Sequence, residues 1–221
     1  MTESHHAVLG QAKAVFFDFD GPICSVFAGY PADRIASDLI ALLRHHGTVF
    51  TPAIADETDP MDVLRWTGIH AADSVVDVEN YLTEAEEIAV ESAEPTPFAV
   101  QVMHRIVDSG RPVAVVSNNS ALAVRKYLAH YDIDGVISFV SGRTPAEPAL
   151  MKPNPFSLKL AADRLGVSIA DTVLIGDTVT DIEACHAAGA RSIGYANKPG
   201  KRERLLQAEA DAVIDSMAAL L

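Results

Sequence analysis

Cysteine is scarce in this chain: Cys24 and Cys185 are the only two in 221 residues, far apart and without the spacing of a zinc site or a redox pair. A disulfide framework is thereby excluded, and both are read as reduced thiols. Long apolar runs are missing as well. No stretch approaches the roughly 18 consecutive apolar residues of a membrane span, and residues 1–10 lack a basic region followed by an apolar segment. A cytoplasmic location without a membrane partner is expected. Lysine is absent between Val26 and Thr96, where 14 Asp and Glu face only three arginines, Arg34, Arg44 and Arg65. That segment carries −11 of the chain's net −13. An acidic surface of this kind repels nucleic-acid phosphates and anionic lipid, so a small molecule is the expected partner. Nothing in the sequence distinguishes a monomer from a homodimer.

What is present is a set of short apolar runs that end in polar residues. Ala14-Val15-Phe16-Phe17 runs into Asp18-Phe19-Asp20-Gly21. Residues 113–116 run into Ser117-Asn118-Asn119-Ser120, and residues 172–175 into Gly176-Asp177-Thr178-Val179-Thr180-Asp181. Such runs read as strands buried on both faces, and ligands of open α/β sheets bind at the carboxyl edge. On extended backbone Asp18 and Asp20 point the same way, so two carboxylates share a small volume and repel unless a cation or proton intervenes. Taken alone, the tetrapeptide is equally an Asp-rich turn; three strand ends of this kind favour a metal or acid/base site.

Helices are expected at residues 31–46, 60–70 and 77–92, from apolar positions such as Ile35, Leu39, Leu42 and Leu43, with Gly47 ending the first and Pro95 and Pro97 closing the segment. Helix and strand then alternate: helices at 98–109, 121–130, 155–165 and 181–188, strands at 113–116, 137–140, 172–175, 192–195 and 212–214. Alternation implies right-handed crossovers and a parallel sheet covered on both faces. The expected fold is α/β, a Rossmann-like three-layer sandwich of residues 1–24 and 97–221 with an inserted α-helical domain at 25–96. No internal repeat appears, and residues 1–11 read as a frayed tail.

With its motifs placed, the chain resembles a haloacid dehalogenase superfamily phosphatase over the whole core. Asp18-Phe19-Asp20 matches the first family motif, Ser117 the second, Lys152 in Met151-Lys152-Pro153-Asn154-Pro155 the third, and Gly176-Asp177 through Asp181 the fourth. Each is weak alone; all four in order are specific. The resemblance implies Asp18 as nucleophile, forming an aspartyl-phosphate, and Asp20 as general acid and then base. Ser117, the Asn118 amide and Lys152 are implied to hold the phosphoryl group. The converging carboxylates call for a divalent cation. Mg²⁺ takes oxygen ligands, and the resemblance implies the carboxylates of Asp18 and Asp177, the Asp20 main-chain carbonyl, and Asp181 directly or through water. The inserted helices resemble the family's cap, whose Arg34, Arg44, Arg65, His45, His46 and His70 are candidates for contacting substrate.

The resemblance also excludes branches. Dehalogenases of the superfamily lack the second aspartate, and phosphonate-cleaving members need a cap lysine, which is missing here. A magnesium-dependent phosphatase acting on a small phosphorylated metabolite is the expected function. A sugar phosphomutase is the alternative within the superfamily, and a non-catalytic phospho-binding or receiver-like module the alternative of another class. One departure stands out: Gly21-Pro22 replaces the usual Gly-Thr or Gly-Val, and proline removes a backbone donor and fixes φ.

Overall fold

The computed structural model describes residues 4–50 and 52–221. In chain order the elements are α1 (His5–Gln11), β1 (Ala14–Phe17), β2 (Cys24–Ser25), α2 (Ala32–His45), α3 (Pro52–Ala55), α4 (Pro60–His70) and α5 (Val75–Ala89). There follow β3 (Glu94–Pro95), α6 (Ala99–Asp108), β4 (Val113–Ser120), α7 (Ala121–His130), β5 (Phe139–Arg143), α8 (Phe156–Leu165), β6 (Thr172–Gly176), α9 (Val179–Ala188), β7 (Arg191–Tyr195), α10 (Lys201–Gln207) and β8 (Ala212–Ile214).

Six strands form one parallel sheet in the order β5-β4-β1-β6-β7-β8, an α/β Rossmann-like arrangement. The motif-bearing strands β4, β1 and β6 lie side by side at its centre, with Val15 opposite both Val113 and Val173. Period-two alternation divides β1 between the two faces. Val15 and Phe17 join the cluster under α6 and α7 with Val102, Met103 and Val124, whereas Ala14 and Phe16 join the one under α8 and α9 with Leu158 and Ala184. All four are fully buried, and each phenylalanine contributes about 1.5–3 kcal/mol by leaving water.

The inserted helices build their own apolar cluster from Ile35, Leu39 and Leu43 of α2, Val63 and Leu64 of α4, and Val78 and Leu82 of α5. A two-stranded antiparallel ribbon, β2 with β3, carries the chain out of the sheet domain and back. Pro95 therefore sits inside a ribbon strand instead of merely ending a helix.

Three sequence expectations need correction. Residues 5–11 form α1, because Val8 and Leu9 bury against the sheet domain; the first three residues of that expected tail lie outside the described residues. The helix expected at 77–92 starts at Val75 and gives way to a 3-10 turn at Val90–Ser92. The acidic segment is not wholly surface either: Glu79 and Glu86 of α5 are 4% and 0% exposed. Among the described residues no helix is long and apolar enough to cross a membrane.

Candidate active site

Parallel strands bring their carboxyl ends to one edge, and here β1, β4 and β6 deliver Asp18, Ser117 and Asp177 to a cavity of about 530 Å³. Asp18, Asp20, Ser117, Asn118, Lys152 and Asp177 all line it. Asp181 lies just beneath, fully buried in the first turn of α9. The carboxylates of Asp18, Asp177 and Asp181 approach to within 4.8 Å of one another.

Glycine geometry makes that convergence possible. Gly21 has φ +101°, and a Cβ there would overlap the Asp177 carboxylate, so a side-chain-free residue is required. Pro22 costs no hydrogen bond, because the turn is closed by the N–H groups of Gly21, donating to Cys24 O (2.7 Å), and of Ile23 and Cys24, both donating to Phe19 O (3.2 Å). The Asp20 carboxylate is held by the Val26 N–H (2.9 Å). It stays outside the carboxylate trio.

Lys152 is 1% exposed and reaches Asp18 Oδ1 (3.0 Å), Asp181 Oδ1 (2.5 Å) and the Val116 carbonyl (3.0 Å). Burial works against its charge, but Asp18 and Asp181 outweigh that and hold the ammonium above its ordinary range. Asp181 is also fixed from the other side by a capping box with Thr178, whose N–H and hydroxyl donate to Oδ2. Burial pushes Asp18 up to about 7 although Lys152 opposes it. Burial likewise lifts Asp20 to about 6 against the Val26 hydrogen bond, and Asp177 to about 6 against Lys201.

Two features escaped sequence reasoning. Lys201, at the start of α10, pairs with Asp177, and Lys198 and Arg204 line the same cavity; no motif marked them, since they come from an exposed loop and helix end. The Asn118 side chain is spent on the Lys152 backbone, accepting from its N–H (2.8 Å) and donating to its carbonyl (3.2 Å). Of the six candidate substrate contacts in the inserted helices, Arg65 lines the cavity and donates to the Lys152 carbonyl (2.7 Å). Arg34 lies over Tyr30, Arg44 over Phe50, and His70 against Trp66. His46 meets Ser74, and His45 packs beside it. None of these five is among the described lining residues.

An oxygen-rich acidic trio at the edge of a parallel sheet, beside a buried lysine, is a setting suited to phosphoryl groups. The haloacid dehalogenase-like hydrolase family matches residues 12–189, and the chain belongs to that family as a phosphoric monoester hydrolase. It is 28% identical over 221 residues to a phosphoglycolate phosphatase of Pectobacterium atrosepticum, covering 97% of this chain and 93% of that protein. It is 26% identical over 226 residues to a phosphoglycolate phosphatase of Neisseria meningitidis, covering 96% and 93%. A predicted phosphatase from Clostridium acetobutylicum has the same fold, with a TM-score of 0.72 at 15% identity over 94% of this chain and 95% of that one.

Proposed function

We propose that the protein is a magnesium-dependent phosphatase that hydrolyses a small phosphorylated metabolite through an aspartyl-phosphate on Asp18. The observation that carries this reading is the trio of Asp18, Asp177 and Asp181 within 4.8 Å, with Lys152 bound to Asp18 at 3.0 Å on the floor of the cavity. The donor set is all oxygen and strongly acidic, which suits Mg²⁺. The carboxylates of Asp18 and Asp177 and the Asp20 carbonyl would hold it, with Asp181 behind them and Lys201 displaced from Asp177. When bound, the ion supplies charge neutralisation to the phosphoryl oxygens.

The residues divide the rest of the work. A carboxylate oxygen of Asp18 attacks phosphorus, and the ester P–O bond breaks as Asp20 gives its proton to the leaving oxygen. Asp20 then takes a proton from the water that attacks phosphorus, and the bond to Asp18 breaks to release phosphate. An aspartate lifted to about 6 suits both duties near neutral pH. Ser117 and the main-chain N–H of Asn118 receive phosphoryl oxygens, since the Asn118 side chain is already committed to Lys152. Lys152 adds fixed positive charge. Residues 25–96 act as the cap over this edge, excluding water and selecting substrate.

Phosphoglycolate is the first candidate substrate, because both relatives matched over nearly their full length are phosphoglycolate phosphatases. The test is phosphate release from the purified protein with Mg²⁺ on phosphoglycolate, sugar phosphates, nucleotides, polyol phosphates and phospho-amino acids. Turnover of at least one of these, lost in excess chelator, is expected. Full activity with chelator present removes the metal assignment, and strict dependence on a bisphosphate activator marks a mutase instead.

A further inference from the structure

A second buried charged cluster lies behind the cavity. Glu79, Thr83 and Glu86 form one stripe of α5, at i, i+4 and i+7. Arg143, at the end of β5 and 4% exposed, bridges them. Its Nε lies 2.9 and 3.0 Å from the two oxygens of Glu79. Its Nη1 and Nη2 reach those of Glu86 at 2.9 and 3.1 Å. A planar guanidinium is suited to such paired contacts and an ammonium is not.

The cluster does not stop at α5. Arg143 Nη1 also donates to the Asn118 carbonyl (2.7 Å). Glu86 accepts from Asn119 Nδ2 (3.0 Å) and from the Ser120 N–H (2.9 Å). Asn119 Oδ1 in turn accepts from the Ser117 hydroxyl (3.2 Å). Two carboxylates against one guanidinium leave a surplus negative charge, which Glu86 places at the first turn of α7, where the helix dipole favours it.

We propose that Arg143 and Glu86 are positioning residues for the Ser117-Asn118 loop, and that through them α5 sets the geometry of the phosphoryl subsite. The inference rests on the phosphatase reading above. Arg143 fixes the peptide plane after Asn118, and Glu86, through Asn119, holds Ser117 in one rotamer, from which the hydroxyl proton turns from Asn119 Oδ1 to a phosphoryl oxygen when substrate binds. A cap helix thereby serves as the wall of the phosphate-binding loop. Sliding α5 relative to β5 would break at least four charge-assisted hydrogen bonds.

The test compares Arg143→Lys, Glu86→Gln and Asn119→Ala with wild type on a substrate that the wild type turns over. Inorganic phosphate is the competitive inhibitor, and the activation constant for Mg²⁺ is measured alongside. Arg143→Lys keeps the charge but loses the fork; Asn119→Ala cuts the link between Glu86 and Ser117 while leaving Arg143 on both glutamates, and is the variant to rely on if the charge substitutions do not fold. The expected result is a rise of about tenfold in the phosphate inhibition constant and a comparable fall in kcat, as for one misplaced charge-assisted hydrogen bond, with the Mg²⁺ constant unchanged. Folded variants whose phosphate constant and kcat stay within about twofold of wild type overturn the proposal. An inactive wild type instead points to failure of the phosphatase reading, so the two failures are distinguishable.

Discussion

Two buried charge clusters sit on either side of the Ser117-Asn118 loop, and they differ in what is left over. Around Arg143 the guanidinium, both carboxylates and their neighbours are paired with one another, and the cluster is closed. Around Asp18 three carboxylates share one buried lysine and one peripheral lysine, and the cluster opens onto a cavity. Burying charge is costly unless it is paired. The closed cluster meets that cost internally and yields rigidity. The open one leaves aspartates lifted by burial to about 6 and 7, where the proposed reading places a cation and a proton. What separates the two is solvent access: the open cluster faces the cavity, and the proposed chemistry is placed there.

The largest effect is expected from Asp18→Asn. An amide cannot form the acyl-phosphate, so phosphate release should fall to background while the thermal midpoint stays near or above wild type. A purified variant with wild-type turnover would remove Asp18 as nucleophile. Next comes Asp20→Asn, which should slow an alkyl phosphate by about 10² to 10⁴-fold, the usual scale of general acid catalysis, and an aryl phosphate far less, because phenolate leaves with little protonic help. Equal losses on both substrates would make Asp20 structural.

A pH experiment sharpens the contrast without touching turnover. Asp18, Asp20 and Asp177 are raised from 3.8 to about 7, 6 and 6, so between pH 4 and 7 the metal-free folded state binds more protons than the unfolded chain. Their contribution to stability is full below the unfolded pKa and is lost as pH rises through 6 to 7. The thermal midpoint of metal-free protein should fall over that window, less so in Asp177→Asn, and Mg²⁺ should offset the fall. A midpoint that rises with pH identically in both proteins would contradict the raised carboxyls. In the closed cluster Glu79→Gln removes one of the two carboxylates on Arg143 and leaves the Glu86 pair intact, so it should cost about 1.5–3 kcal/mol, the scale of hydrogen bonds to a charged group, read by denaturant melts with roughly unchanged slope. The smallest change is Thr83→Val: its hydroxyl lies 3.4 Å from Arg143 Nη2, and its loss should cost under about 1 kcal/mol. A larger cost there than at Glu79 would mean that the ion pair is not what holds α5.

The sequence by itself determined the strand ends. Apolar runs of four residues bounded by aspartate, serine and glycine fit central parallel strands, which bring Asp18, Ser117 and Asp177 to one edge, although β4 continues to Ser120 beyond the expected end at 116. It also determined the periodic helices of the insertion, as the stripe Ile35, Leu39 and Leu43 shows. Only the tertiary structure decided what turns inward where local pattern is ambiguous. Glu79 and Glu86 read as solvated charges on an acidic helix, and their burial follows from Arg143, which lies 64 and 57 positions away. Lys201 carries no motif and meets Asp177 because α10 follows β7 at the same sheet edge. Residues 5–11 are too short a segment to call from periodicity, and they fold because Val8 and Leu9 find an apolar surface. Local propensity and alternation fix which residues can be buried; which charges pair there depends on contacts between segments distant in sequence, and those exist only once the chain has folded.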